Sequence, residues 1–147
     1  MAAIALEAEA ADDASIETDF TNKRFGRIDQ SIAMGALFTA HHLGCRAILA
    51  LTESGSTALW MSRHSIKVPI YGLTSQLVSQ RKMALYRNVR PLLMPACADR
   101  DEALARAEAL LVELGALRRG DTYAITCGEP MGHPGGTNML KVCRVGG

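Results

Sequence analysis

The chain is short of net charge. Sixteen Lys and Arg against fifteen Asp and Glu leave a formal +1 over 147 residues. That balance excludes the concentrated basic face by which a domain grips DNA, RNA or an anionic membrane. It is also short of paired cysteines. Cys45, Cys97, Cys127 and Cys143 lie far apart, with no CxxC and no histidine at ligand spacing. Reduced structural thiols in a cytoplasmic protein are therefore expected. No apolar run approaches the ~18 residues of a membrane span. The N-terminus is apolar but carries Glu7 and Glu9 and no leading cations, which is not the pattern of a signal peptide. What is present is 48% hydrophobic and 21% charged residues, enough for one globular domain with a core.

"MAAIALEAEAA" has the composition of a helix, and the polar stretch from Asp12 to Arg27 reads as a linker. Ile28 to Leu43 places apolar residues at Ile28, Ile32, Leu37, Ala40 and Leu43, widened by Met34 and Phe38. This predicts a largely buried helix that stops at Gly44. Arg46–Leu51 reads as a central strand, Gly55–Arg63 as a helix, and Val68–Leu73 as a second strand. A helix over Ser75–Tyr86 and a strand over Val89–Met94 follow. Asp99 and Glu102 have capping-box spacing ahead of Leu104, Ala107, Leu111 and Leu114, with Gly115 as the stop. Thr122–Cys127 and Asn138–Val145 are the last two strands. Alternating strands and helices imply a parallel sheet. The connection "GEPMGHPGGT" is only about ten residues, too short for a parallel crossover. The fifth strand is thus expected to run antiparallel at a sheet edge, where Lys141 and Arg144 suit it.

Two loops carry the chemistry on offer. "LTESGSTALW" puts Thr52, Ser54, Ser56 and Thr57 around Gly55, where a strand gives way to a helix. Free backbone N–H groups and hydroxyls there suit a phosphate, and helix capping explains the same residues equally well. The loop is no P-loop, because GxxxxGK[ST] is absent. Ser54 lacks the GxSxG elbow of a nucleophile. His41, His42, His64 and His133 make no HExxH or other metal spacing, so no metal site is expected. The second loop, Gly128–Thr137, does not match GxGxxG. It is either a functional loop or plain linkage.

"LTESGSTA", "VPIYGLT", "ALYRNVRPLL", "GALRRGD" and "GGTNMLKV" stand in the order seen in the C-terminal domain of pyruvate kinase, which the chain resembles over nearly its whole length. "SGSTALWMSR" is similar to the bacterial enzymes that answer to AMP or sugar monophosphates. The resemblance implies a three-layer α/β/α fold, with a mixed five-stranded sheet in the order 3-2-1-4-5 and strand five antiparallel. It implies that residues 1–27 are the end of the barrel's last helix and its linker, and 28–147 the C-terminal domain. It also implies an effector site at the switch point of the sheet. Thr52, Glu53, Ser54, Gly55, Ser56 and Thr57 would form one wall, and Gly132, His133, Pro134, Gly135, Gly136 and Thr137 the other.

Phosphoryl transfer from phosphoenolpyruvate to ADP, with Mg²⁺ and K⁺, belongs in that family to the barrel. No catalytic residue, metal ligand or cofactor is therefore expected in this chain. The partners implied are a sugar monophosphate or AMP, the rest of a pyruvate kinase chain, and further copies in a homotetramer. Strand Asn138–Val145 and helix Ile28–Leu43 are the interface candidates. Neither nucleic acid nor membrane is implied. Glu53 stands where members activated by fructose bisphosphate often carry a base, and Ala103 where an arginine grips a second phosphate. Both argue against fructose bisphosphate and leave a monophosphate ligand, or none. A free-standing binding module of the same fold is the alternative. A phosphatase-like use of the hydroxyl loop has no base placed for it.

Overall fold

The computed structural model describes residues 26–147. The helix and linker expected over residues 1–27 thus lie outside the described residues, except for Gly26 and Arg27. The elements are α1 (Ile28–Leu43), β1 (Ala47–Leu51), α2 (Ser56–Ser62), β2 (Ile70–Thr74), α3 (Leu77–Met83), β3 (Val89–Leu93), α4 (Arg100–Glu113), β4 (Thr122–Gly128) and β5 (Thr137–Arg144). The strands form one sheet in the order β3-β2-β1-β4-β5. The first four are mutually parallel, and β5 pairs antiparallel with β4. The order and the reversed last strand are those expected.

Every residue of β1 is buried, as a central strand covered on both faces must be. Its side chains divide by parity. Ile48 and Ala50 pack with α1, α2 and Met83 on one face, whereas Ala47, Leu49 and Leu51 pack with α4 on the other. Helices therefore cover both faces, and the fold is a three-layer α/β/α domain.

Three local expectations need correction. The buried stripe of α1 is Asp29, Ala33, Met34, Ala36, Leu37 and Ala40, while Ile28, Phe38 and Leu43 are exposed at 69%, 40% and 60%. Small alanines let the helix lie close on the sheet, which turns the stripe toward them and the larger residues outward. A carboxylate at its head hid that stripe from a hydrophobic count. The helix expected over Ser75–Tyr86 is α-helical only from Leu77 to Met83, and its last turn is closed by bonds from Leu85 and Tyr86 to Lys82 and Met83. On α4, Leu114 is exposed, and Leu117 is the residue that closes the core. The Asp99 cap is as expected, with Glu102 N–H donating to Asp99 Oδ2 at 3.0 Å.

Candidate functional site

The parallel strands β1 and β4 are neighbours in the sheet, yet the chain leaves them in different directions. Past β1 it enters the hydroxyl loop and α2. Past β4 it enters the glycine loop and returns as β5. This is a topological switch point, and the ends of β2 and β3 open beside it.

The hydroxyls of the first loop mostly build the loop. Gly55 N–H donates to Thr52 Oγ1 at 2.9 Å, and Gly55 itself sits at φ 83, a left-handed conformation that glycine adopts freely. Ser56 N–H donates to Ser54 Oγ at 3.2 Å. Ser54 Oγ donates to Ser56 Oγ at 3.1 Å, which donates onward to Asp29 Oδ2 at 3.0 Å. Thr57 Oγ1 donates to Thr137 Oγ1 at 2.7 Å. Ser54 therefore bonds to a neighbouring serine and not to a base.

Glu53 turns the other way. Its Oε2 accepts Ser75 Oγ at 2.7 Å and Gln76 Nε2 at 3.4 Å. Its backbone carbonyl accepts the hydroxyl of Ser79. The acid thus ties the hydroxyl loop to the turn between β2 and α3.

The glycine loop is closed at its neck by the Asn138 amide. Glu129 N–H donates to Asn138 Oδ1, and Asn138 Nδ2 donates to the Glu129 carbonyl, both at 2.9 Å. Inside the neck the backbones nearly touch. A Cβ on Gly128 would lie 2.7 Å from the Gly136 carbonyl oxygen, and one on Gly136 would lie 2.9 Å from that of His133. Two of the loop's glycines are therefore required by packing.

Between the loops lies a cavity of about 260 Å³. Of the residues expected there, Thr52, Glu53, Gly132, His133, Gly135 and Thr137 line it. Ser54, Gly55, Ser56, Thr57, Pro134 and Gly136 are not among the lining residues; the first four and Gly136 hold the loops together, and Pro134 is exposed. Most of the remaining lining was missed by sequence reasoning: Leu73 and Thr74 at the end of β2, Ser75 and Gln76 just past it, and Met94 to Cys97 after β3, with Leu51, Gly128 and Met131 completing it. The strand order holds the signal for these, since all four parallel strands end at this edge. Among the described residues Glu53 is the only Asp, Glu, Lys or Arg of the lining. Ala103, on α4, is wholly buried and faces the core. Elsewhere, His42 packs against Phe38 with ring centres 4.3 Å apart and ring planes tilted by 46°. No three His, Cys, Asp or Glu side chains converge as a metal site among the described residues.

Residues 30–143 match the family model described as pyruvate kinase, alpha/beta domain. The chain belongs to the pyruvate kinase α/β-domain family. The pyruvate kinase of Buchnera aphidicola subsp. Baizongia pistaciae is 34% identical over 146 residues, covering 99% of this chain and 30% of that protein. Pyruvate kinase II of Salmonella typhimurium is 35% identical over the same length and shares. The pyruvate kinase of Staphylococcus haemolyticus is 35% identical over 144 residues, 97% of this chain and 25% of the relative. This pyruvate kinase α/β domain thus spans at most about a third of the curated relatives it matches.

Proposed function

We propose that this chain is the regulatory and subunit-assembly domain of a pyruvate kinase, and that the cavity between its two loops binds a phosphorylated effector. One observation carries the reading. The hydroxyl loop and the glycine loop, each a weak signal alone, meet at one cavity of mixed polar and apolar lining at the switch point of the sheet.

The charge of the lining selects the ligand class. Among the described residues no lysine or arginine lines the cavity, and one carboxylate, Glu53, does. A bisphosphate would bring two dianionic groups into that field, whereas a monophosphate brings one. Glu53 Oε1 suits the hydroxyls of a sugar as an acceptor, while Thr52 and His133 offer donors. A sugar monophosphate or AMP fits this set.

The whole enzyme would convert phosphoenolpyruvate and ADP to pyruvate and ATP in the cytoplasm, with Mg²⁺ and K⁺ bound by the barrel. This chain holds none of that machinery and is silent by itself. Assembly falls to the outer side of α1, where Ile28, Phe38 and Leu43 are exposed, and to the open edge of β5.

Thermal shift of the purified chain against ribose 5-phosphate, glucose 6-phosphate, AMP and fructose bisphosphate tests the ligand class. Stabilisation by one of the monophosphates is expected. The largest shift from the bisphosphate contradicts the reading, as does turnover of phosphoenolpyruvate and ADP by the chain alone.

A further inference from the structure

Behind the cavity wall, a single ion pair joins both loops to the start of α1. Asp29 lies in the first turn of α1 with its side chain 1% exposed. Its Oδ1 accepts Arg27 Nε and its Oδ2 accepts Arg27 Nη2, both at 2.9 Å, a bidentate pair. Oδ1 also accepts Gln30 N–H at 2.9 Å, and Oδ2 accepts Ser56 Oγ at 3.0 Å. The carboxylate is therefore the terminus of the chain Ser54 → Ser56 → Asp29, and it fixes the direction of both hydroxyls.

Arg27 reaches the second loop. Its Nη2 lies 3.0 Å from the point where a Cβ on Gly135 would sit, and Gly135 has φ +69. The same guanidinium lies 5.9 Å from the Trp60 ring centre on α2, and Arg63 covers that ring at 4.6 Å. One pair thus touches the hydroxyl loop, α2, the glycine loop and the chain entering α1. None of its atoms belongs to the cavity lining.

We infer that Arg27 and Asp29 are positioning residues for the cavity: a clasp that sets the two loops against each other and carries a change in either to the residue preceding α1. The geometry gives two reasons. A buried carboxylate with four donors is costly to leave partly satisfied, so the clasp resists partial opening. A ligand that draws Ser56 or Gly135 toward itself must then work against Arg27 and Asp29 together. That second step rests on the effector reading of the cavity, whereas the clasp itself does not.

Hydrogen exchange of the full 147-residue chain tests the clasp without ligand. Asp29→Asn keeps the shape and removes the charge, and Arg27→Gln, at a half-exposed position, guards against a folding defect. Both variants should speed exchange about tenfold in segments 52–57 and 132–137, leaving 103–113 unchanged. Faster exchange confined to 52–57, no change in either loop, or an equal rise across the chain overturns the clasp.

Trp60, the single tryptophan, reads the transmission. Adding ribose 5-phosphate should change its emission in the parent chain. In both variants that change is lost, while calorimetry still detects binding. An unaltered emission response in the variants overturns the transmission. If calorimetry finds no binding to the parent chain, the effector reading and the transmission step fall together, and exchange alone still decides the clasp.

Discussion

Thr57 and Thr137, eighty residues apart, share a buried hydroxyl–hydroxyl bond of 2.7 Å. It fastens the start of α2 to the first residue of β5, so the two loops that flank the cavity are locked at their bases. Thr57→Val leaves the Thr137 hydroxyl buried and unpaired, at an expected cost of about 1–3 kcal/mol in urea unfolding. The double variant with Thr137→Val should lose less than the two single losses combined. Thr126 supplies the contrast. Its Oγ1 is buried with no hydrogen-bond partner among the described residues, so Thr126→Val should leave stability unchanged or raise it.

Gly72 is a packing requirement within the sheet. A Cβ there would lie 2.3 Å from Met83 Sδ, and Met83 is itself wholly buried. Gly72→Ala should cost about 1–3 kcal/mol through overpacking. Combining it with Met83→Ala removes the clash but opens a cavity. Coupling between the two substitutions in thermal unfolding is the sign that this contact is responsible.

The four cysteines should separate into two classes of reactivity. Burial pushes the Cys45 and Cys127 thiols above their usual 9.0, while Cys97 and Cys143 are partly exposed. A disulfide reagent at neutral pH should titrate two thiols rapidly and two only as fast as the protein opens. Cys97 lines the cavity, so ribose 5-phosphate should slow the labelling of Cys97 and not of Cys143.

Alkali should destabilise the fold. Burial first, and then the 2.7 Å bond to Glu108, raise the Tyr123 phenol well above 10.0. Below about pH 7.5 Tyr123, Cys45 and Cys127 are protonated in both states, so their contribution is fully present. Above that the unfolded chain releases protons that the folded chain keeps, and stability falls as pH rises. Tyr123→Phe should cost about 1 kcal/mol at pH 7 and show a shallower decline above pH 10. Urea midpoints between pH 7 and 11 measure both effects.

Glu53 sets the sign of charge in the cavity. Glu53→Lys replaces the only carboxylate that the described residues give it with a cation and breaks the bonds from Ser75 and Gln76. The thermal shift from fructose bisphosphate should rise relative to that from ribose 5-phosphate. An unchanged ranking would show that the acid does not choose the ligand.

Much of this was legible in the sequence, and the misses have physical causes. The apolar run at Ala47–Leu51 and the Asp99 cap are local signals, set by burial on both faces and by one side-chain bond. The reversal of β5 follows from the length of the Gly128–Thr137 connection alone. Asp29 was invisible because a carboxylate heading a helix ordinarily faces water, and only its pairing with Arg27 and Ser56 makes burial tolerable. Met94 to Cys97 could not be assigned to the cavity from local pattern, because nothing local marks where a strand's end will open.

The sequence by itself determined the alternation of elements, the mixed sheet and the two loops, since those depend on periodicity, chain length and backbone chemistry within a few residues. Tertiary structure decided which hydroxyls face the cavity and which hold it together. That division rests on contacts such as Ser56 with Asp29 and Thr57 with Thr137, 27 and 80 residues apart. A hydroxyl's role is fixed by the partner it finds, and only the folded chain brings that partner within reach.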